Sequence, residues 1–219
     1  MTQTNAIQFY DLDGTLIDSM AAIFECQLDG LVSAIGKPRS ELEGKLKQSK
    51  LEAVLSENGV SLDQFYKEHY KTFDPLEAKK KGNLYVFPDA KEALEQYLER
   101  TKVIISNSSL EATQKKLEAT GIADRFDYVF AEFERDKSKP SAYMGERAIE
   151  ALNSVGKLSG NPRLVLVGDD ERDIKFGEAL KSVYSNLVNL LLDRTSSYRG
   201  SAKPDAVINS LIEMGGYEH

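Results

Sequence analysis

The chain has 219 residues, 41% of them hydrophobic, and its 28 basic side chains face 35 acidic ones for a net charge of −7. That length fits one domain with an insertion or two small domains, and the mixed composition is ordinary for a globular protein. The acidic balance, with no long basic run, argues against nucleic acid as a partner. The lone cysteine, Cys26, excludes an intramolecular disulfide, and no apolar run is long enough to cross a bilayer.

Residues 6 to 11 read as a short buried strand, apolar from Ile7 to Tyr10 except at Gln8. Asp11 leaves its carboxyl end, Asp13 follows one strand repeat later, and Gly14 allows a sharp turn. A carboxylate at that place can ligate a hard cation, attack phosphorus, or simply cap a turn. A calcium loop is excluded, because the twelfth position from Asp11 is Ala22 rather than a closing Glu.

From Ser19 the period changes. Met20, Phe24, Leu28, Leu31 and Ile35 recur at helical spacing, and Gly36 with Pro38 ends the run. Cys26 in this stretch reads as a buried structural thiol. Ser40 with Glu43 and Ser61 with Gln64 have capping-box form. Leu62, Phe65, His69 and Phe73 continue a helical face, with His69 as a packed residue. The block from 19 to about 80 is thus mainly helical, and Lys79 to Asn83 ends it as a hinge or a solvated loop.

Strands and helices then alternate. Helices are predicted over 89–99, up to about 120, over 141–152, and after Asp173. Strands are predicted at 103–105, 128–131, 164–167 and 189–192. This order implies βαβ units and a parallel sheet. In such a sheet the carboxyl ends face one side, where ligands bind. The strand ends would bring together Asp11 and Asp13, Ser106 with Asn107, and Asp169, Asp170 and Asp173, with Lys139 nearby. Carboxylates that close repel without a cation, and Mg²⁺ suits the oxygen donors.

Four segments in order carry a resemblance: Asp11-Leu12-Asp13-Gly14-Thr15, Ile104-Ile105-Ser106-Asn107, Lys139-Pro140, and Gly168 to Asp173. With them, from about residue 5 to about 213, the chain resembles the haloacid dehalogenase-like hydrolases in their C1-capped phosphatase branch. Pro204 to Leu211 resembles that family's last turn, strand and helix. The resemblance implies an α/β, Rossmann-like, doubly wound parallel sheet over 1–18 and 82–219, with a helical cap over 19–81 inserted after the first strand.

It further implies that Asp11 is the nucleophile that forms an aspartyl-phosphate, and that Asp13 is the general acid and base. Ser106, Asn107 and Lys139 would bind the phosphate, with Lys139 and Ser106 also acting in catalysis. Mg²⁺ would be held by Asp11, the backbone carbonyl of Asp13, Asp169 and Asp173. Asp173 either assists at the metal or holds Lys139, and Asp170 is either a further metal-shell carboxylate or a solvated neighbour. Lys139 is preferred to Lys137 because Pro140 follows it. True dehalogenases lack a carboxylate at the place of Asp13, so Asp13 points to phosphate esters.

The cap would exclude water and select the substrate, and Lys45, Lys47 and Lys50 either meet an anionic leaving group or are simply solvated. The implied partner is a small phosphorylated metabolite, with no nucleic acid and no membrane, in a cytoplasmic protein. A monomer and a homodimer fit equally. The leading activity resembles phosphoglycolate phosphatase. The rivals are a sugar phosphomutase of the β-phosphoglucomutase type and a catalytically silent binding protein on the same fold.

Overall fold

A computed structural model describes residues 6–219. Residues 1–5, which belong to the expected core segment 1–18 and include the start of the family resemblance, lie outside the described residues. The chain divides into two compact units, Met1–Asp18 with Tyr85–His219, and Ser19–Leu84.

In the first unit the chain runs β1 (Ile7–Tyr10), then β2 (Ile17–Asp18). The second unit contributes α1 (Met20–Ile35), α2 (Arg39–Gln48), α3 (Leu51–Glu57), α4 (Leu62–Gln64) with a π turn at Phe65–His69, and α5 (Pro75–Lys80). Back in the first unit come β3 (Tyr85–Val86), α6 (Pro88–Gln96), β4 (Thr101–Ser106), α7 (Leu110–Thr120), β5 (Tyr128–Ala131) and α8 (Tyr143–Ser154). Then follow β6 (Leu164–Gly168), α9 (Glu171–Lys181), β7 (Leu187–Leu192), β8 (Ala206–Ile208) and a 3₁₀ segment, Leu211–Tyr217.

Six strands form one sheet in the order β5-β4-β1-β6-β7-β8. Every pairing in it is parallel. This is the α/β, Rossmann-like architecture expected. β1 lies between β4 and β6, and the connections on its two sides run in opposite directions along the sheet. That is a topological switch point, where the carboxyl ends diverge and leave a crevice.

The strands read as continuous apolar runs because both sheet faces are covered. On one face Ile7, Phe9, Val103, Ile105, Leu164 and Leu166 pack against Met144, Ala148 and Leu152 of α8 and Phe176 and Leu180 of α9. Each of the larger side chains contributes roughly 1.5–3 kcal/mol by its burial. Gln8, the polar break in β1, is fully buried but satisfied. Its side chain donates to Glu218 at 2.8 Å and accepts from the Tyr10 hydroxyl at 2.9 Å. Glu218 in turn receives Arg100 at 2.9 Å. A polar residue inside the central strand is tolerated because every partner is supplied.

The two-residue strands β2 and β3 pair antiparallel where the chain leaves and re-enters the first unit, and the Tyr85 hydroxyl donates to Asp18 at 2.8 Å. Arg194, just after β7, fastens the loop that follows β1. It donates to the carbonyls of Gly14 (3.0 Å) and Thr15 (2.8 Å), holds Asp89 through both oxygens, and lies 4.0 Å over the Phe87 ring.

The second unit has its own core of Leu28, Leu31, Leu42, Leu46, Leu51, Val54, Leu55 and Phe65. Three local expectations are corrected here. Met20, read as part of the apolar face of α1, is 58% exposed at the first residue of the helix. Ser40 does not cap α2: the helix begins at Arg39 after Pro38, whose fixed φ suits helix entry without a side-chain bond. Phe73 is not helical, because the π turn ends at His69. The Ser61 half of the second box forms, its hydroxyl accepting from the Gln64 amide at 3.1 Å. His69 is tied to Ser33 at 3.1 Å. Cys26 is half-buried in α1.

Candidate active site

β1, β4 and β6 end beside one another, so Asp11, Ser106 and Asp169 are delivered to the same crevice by the parallel register. Lys139 arrives on the segment between β5 and α8, and Asp173 from the first turn of α9. The Lys139 ammonium is the hub. It is 6% exposed and donates to Asp11, to Asp173 at 2.6 Å, and to the carbonyl of Ile105 at 3.1 Å. Burial works against its charge, but the carboxylates of Asp11 and Asp173 outweigh that and hold its pKa above the ordinary lysine value. Lys137 takes no part, pairing instead with Glu134 at 2.5 Å.

Asn107 explains how Lys139 is held. Its side chain accepts from the Lys139 amide at 2.7 Å and donates to the Lys139 carbonyl at 3.0 Å. The peptide bond between Lys139 and Pro140 is cis. The Ser106 hydroxyl is buried at the end of β4 and accepts from the Ser108 amide at 3.2 Å.

Asp173 meets Lys139 through one oxygen, and its other oxygen accepts from the Asp170 amide at 3.1 Å. Asp170 returns the bond as the cap of α9, accepting from Arg172 and Asp173 amides. Arg172 also donates to it through its side chain, at 2.7 Å from Nε. This capping box gives Asp170 a role that neither sequence alternative included. Gly14 is required in this setting: its φ is +89°, and a Cβ there would overlap the Asp169 carboxylate. Thr15 then donates its hydroxyl to Asp169 at 2.9 Å.

Asp13 is handled separately. Its carboxylate receives the Lys116 ammonium at 2.8 and 2.6 Å and the Ser108 hydroxyl at 3.4 Å. Sequence reading missed both partners, as well as the Thr15 bond to Asp169. The available signal was a lysine on the apolar face of a helix, since Lys116 shares the buried side of α7 with Thr113 and Leu117. In the helical unit, Lys45 pairs with Glu57 at 2.9 Å and Lys47 with Glu43 at 2.5 Å, with Glu57 and Lys47 exposed and Lys45 and Glu43 half-buried.

Among the described residues, carboxylate oxygens of Asp11, Asp169 and Asp173 lie within 4.8 Å of one another. Burial, together with the neighbouring Asp173 and Asp169 charges, pushes the Asp11 carboxyl well above its ordinary range, with Lys139 opposing. Burial and the Asp173 charge push Asp169 up to about 7, with the Thr15 hydroxyl opposing. Two of the three carboxylates share the one ammonium, and among the described residues Asp169 meets only the Thr15 hydroxyl. The donors are all oxygen and negative charge is in excess, so the residues present fit a hard divalent cation.

The raised Asp169 pKa has a stability consequence with a definite sign. Between about pH 4 and 7 the unfolded chain releases this proton while the folded protein keeps it, so stability falls as pH rises through that window. The loss is on the order of a few kcal/mol and is complete above about pH 7. Asp169→Asn removes it and keeps an oxygen for Thr15. Without metal, the variant is therefore expected to melt higher than wild type at pH 8 and to match it near pH 4. Added Mg²⁺ should raise the wild-type Tm at pH 8 and move the variant much less. A variant that melts below wild type at pH 8 without metal would refute the strained carboxylate cluster.

A family profile described as Haloacid dehalogenase-like hydrolase matches residues 9–182. No curated protein matches the chain. Among solved structures, a haloacid dehalogenase phosphatase from Thermococcus onnurineus is 22% identical, with a TM-score of 0.67 over 96% of both chains. A Haemophilus somnus protein predicted to be a phosphoglycolate phosphatase is 16% identical, with a TM-score of 0.66 over 100% of both. A magnesium-bound Bacillus subtilis protein assigned provisionally to the same hydrolases is 15% identical, with a TM-score of 0.63 over 98% of both. At these identities the structural likeness is one of fold.

Proposed function

We propose, from the premise that this chain belongs to the haloacid dehalogenase-like hydrolase family in its C1-capped branch, that it is a Mg²⁺-dependent phosphatase of a small phosphate monoester. The observation that carries this reading is the buried Lys139 ammonium shared by Asp11 and Asp173 at the carboxyl ends of the sheet. An ammonium so placed orients the Asp11 carboxylate and offers charge to a phosphoryl group arriving beside it. The Thermococcus neighbour is a phosphatase and the Bacillus neighbour carries magnesium, which agrees with this chemistry.

Asp11 attacks phosphorus through one carboxylate oxygen, and the bond from phosphorus to the ester oxygen breaks. Asp13 gives its proton to that oxygen, so the alcohol leaves neutral. Asp13 then takes a proton from water, the water oxygen bonds to phosphorus, and the bond to Asp11 breaks to release inorganic phosphate. Ser106 would donate to a phosphoryl oxygen, and Lys139 would balance charge through both transfers. Asp11, Asp169 and the carbonyl of Asp13 would hold Mg²⁺, with Asp173 beside them. When bound, the ion supplies the positive charge that three carboxylates and a phosphate require. Asp13 also separates this reading from halide displacement, whose leaving group needs no proton.

Colorimetric phosphate release from a panel of monoesters in Mg²⁺ tests the reading. Release from at least one ester is expected. Incubation with β-glucose 1-phosphate and a bisphosphate primer covers the mutase rival, where glucose 6-phosphate without free phosphate would sink the phosphatase. Silence across the whole panel, with no glucose 6-phosphate formed either, would favour a binding protein on this fold.

A further inference from the structure

Lys116 is 3% exposed, and a buried ammonium is costly unless it is paired. Its neighbour Lys115 lies on the solvent side of α7 and pairs with Glu111 at 2.7 Å, the ordinary fate of a helical lysine. Lys116 instead occupies the buried face and spans 103 residues of sequence to reach both oxygens of Asp13. The Ser108 hydroxyl completes a triangle, 3.0 Å from the ammonium and 3.4 Å from the carboxylate. Lys139 is committed to Asp11 and Asp173, so Asp13 has a lysine of its own.

We propose that Lys116, with Ser108, is a positioning residue that fixes the Asp13 carboxylate where it meets the ester oxygen of the substrate. The inference rests on the phosphatase reading and adds to it a residue outside the four recognised segments. A carboxylate gripped through both oxygens cannot rotate about its terminal bond, and its place relative to phosphorus is set by α7 rather than by the loop that bears it. A misplacement of about 1 Å at a reacting group costs about a hundredfold in rate.

The role has a signature that depends on the leaving group. In the first step the bond from phosphorus to the ester oxygen breaks and its electron pair stays on that oxygen. An alkoxide must take the Asp13 proton as it leaves, whereas p-nitrophenolate leaves unprotonated. The ratio kcat/KM reports the path up to the first irreversible step, and so isolates this departure from later hydrolysis.

The test compares kcat/KM for an alkyl phosphate that the wild type hydrolyses with that for p-nitrophenyl phosphate. Lys116→Met is expected to lower the alkyl ester by about a hundredfold, and the aryl ester at least about tenfold less than that. Lys116→Arg should recover part of the alkyl rate, and Ser108→Ala should show the same selectivity more weakly. In an Asp13→Asn background, Lys116→Met should add nothing. Equal losses on both esters, or a full further loss in that background, would overturn the positioning role and leave Lys116 a structural ion. If Lys116→Met does not fold, Lys116→Arg and Ser108→Ala carry the same comparison. A wild type that releases phosphate from no ester of the panel overturns the phosphatase reading itself, and the positioning role with it.

Discussion

Asp11→Asn is expected to lower phosphate release by at least about a thousandfold while the protein stays folded. The expectation has two parts with different causes. Activity goes because an amide cannot attack phosphorus, and the other two carboxylates of the cluster are held elsewhere: Asp173 on its far side by the Asp170 amide, and Asp169 by Thr15. Fold is kept because the substitution removes a charge that the folded state holds at a cost. Burial and two neighbouring carboxylates raise the Asp11 carboxyl well above its ordinary range, so neutralising it relieves repulsion. Asp173 still pairs with the Lys139 ammonium. Without metal, the variant's Tm is therefore expected to equal or exceed that of wild type. Chelation should abolish wild-type activity and added Mg²⁺ restore it, because the cluster carries more negative charge than Lys139 balances. Phosphate release by Asp11→Asn above about a hundredth of wild type would place the nucleophile elsewhere.

The parts of this site that could be read in sequence were those set by the sheet. Asp11, Ser106 and Asp169 each follow a short apolar run, and parallel strands put such residues on one side. Their meeting follows from register alone. What could not be read depends on contacts across the fold. Lys116 lies 103 residues from Asp13, and nothing in its local sequence distinguishes it from the solvated Lys115 except its helical phase. The capping role of Asp170 needed the start of α9, which the sequence placed after Asp173 and the structure places at Glu171. The pairing of Tyr85–Val86 with Ile17–Asp18 rests on two residues each, too few for any periodic signal. Ser40 with Glu43 shows the reverse error: a correct local pattern lost to Pro38, which starts the helix earlier.

Lys139→Met is expected to lose both activity and stability, and the two losses should separate with pH. The ammonium holds Asp11 and Asp173 in a buried site, so its removal leaves two carboxylates facing each other without compensation. Breaking a buried ion pair by deleting one partner costs about 3–5 kcal/mol. Methionine matches the length of the stem and fills the space, so little of that cost is packing. The penalty exists only while the carboxylates are ionised. It should fall as pH drops below the raised folded-state pKa of Asp11, and Tm measured without metal should approach that of wild type in acid. Activity should not return there, since phosphoryl transfer also loses the charge that Lys139 supplies, a deficit of about a hundredfold or more. Lys139→Arg restores charge but not fit, because the ammonium also donates to the Ile105 carbonyl inside a nearly closed site and a branched guanidinium needs more room. It should melt above Lys139→Met at pH 8 and remain nearly inactive. Melting of Lys139→Met that is independent of pH would show that Lys139 stabilises the core by packing rather than by its two carboxylates.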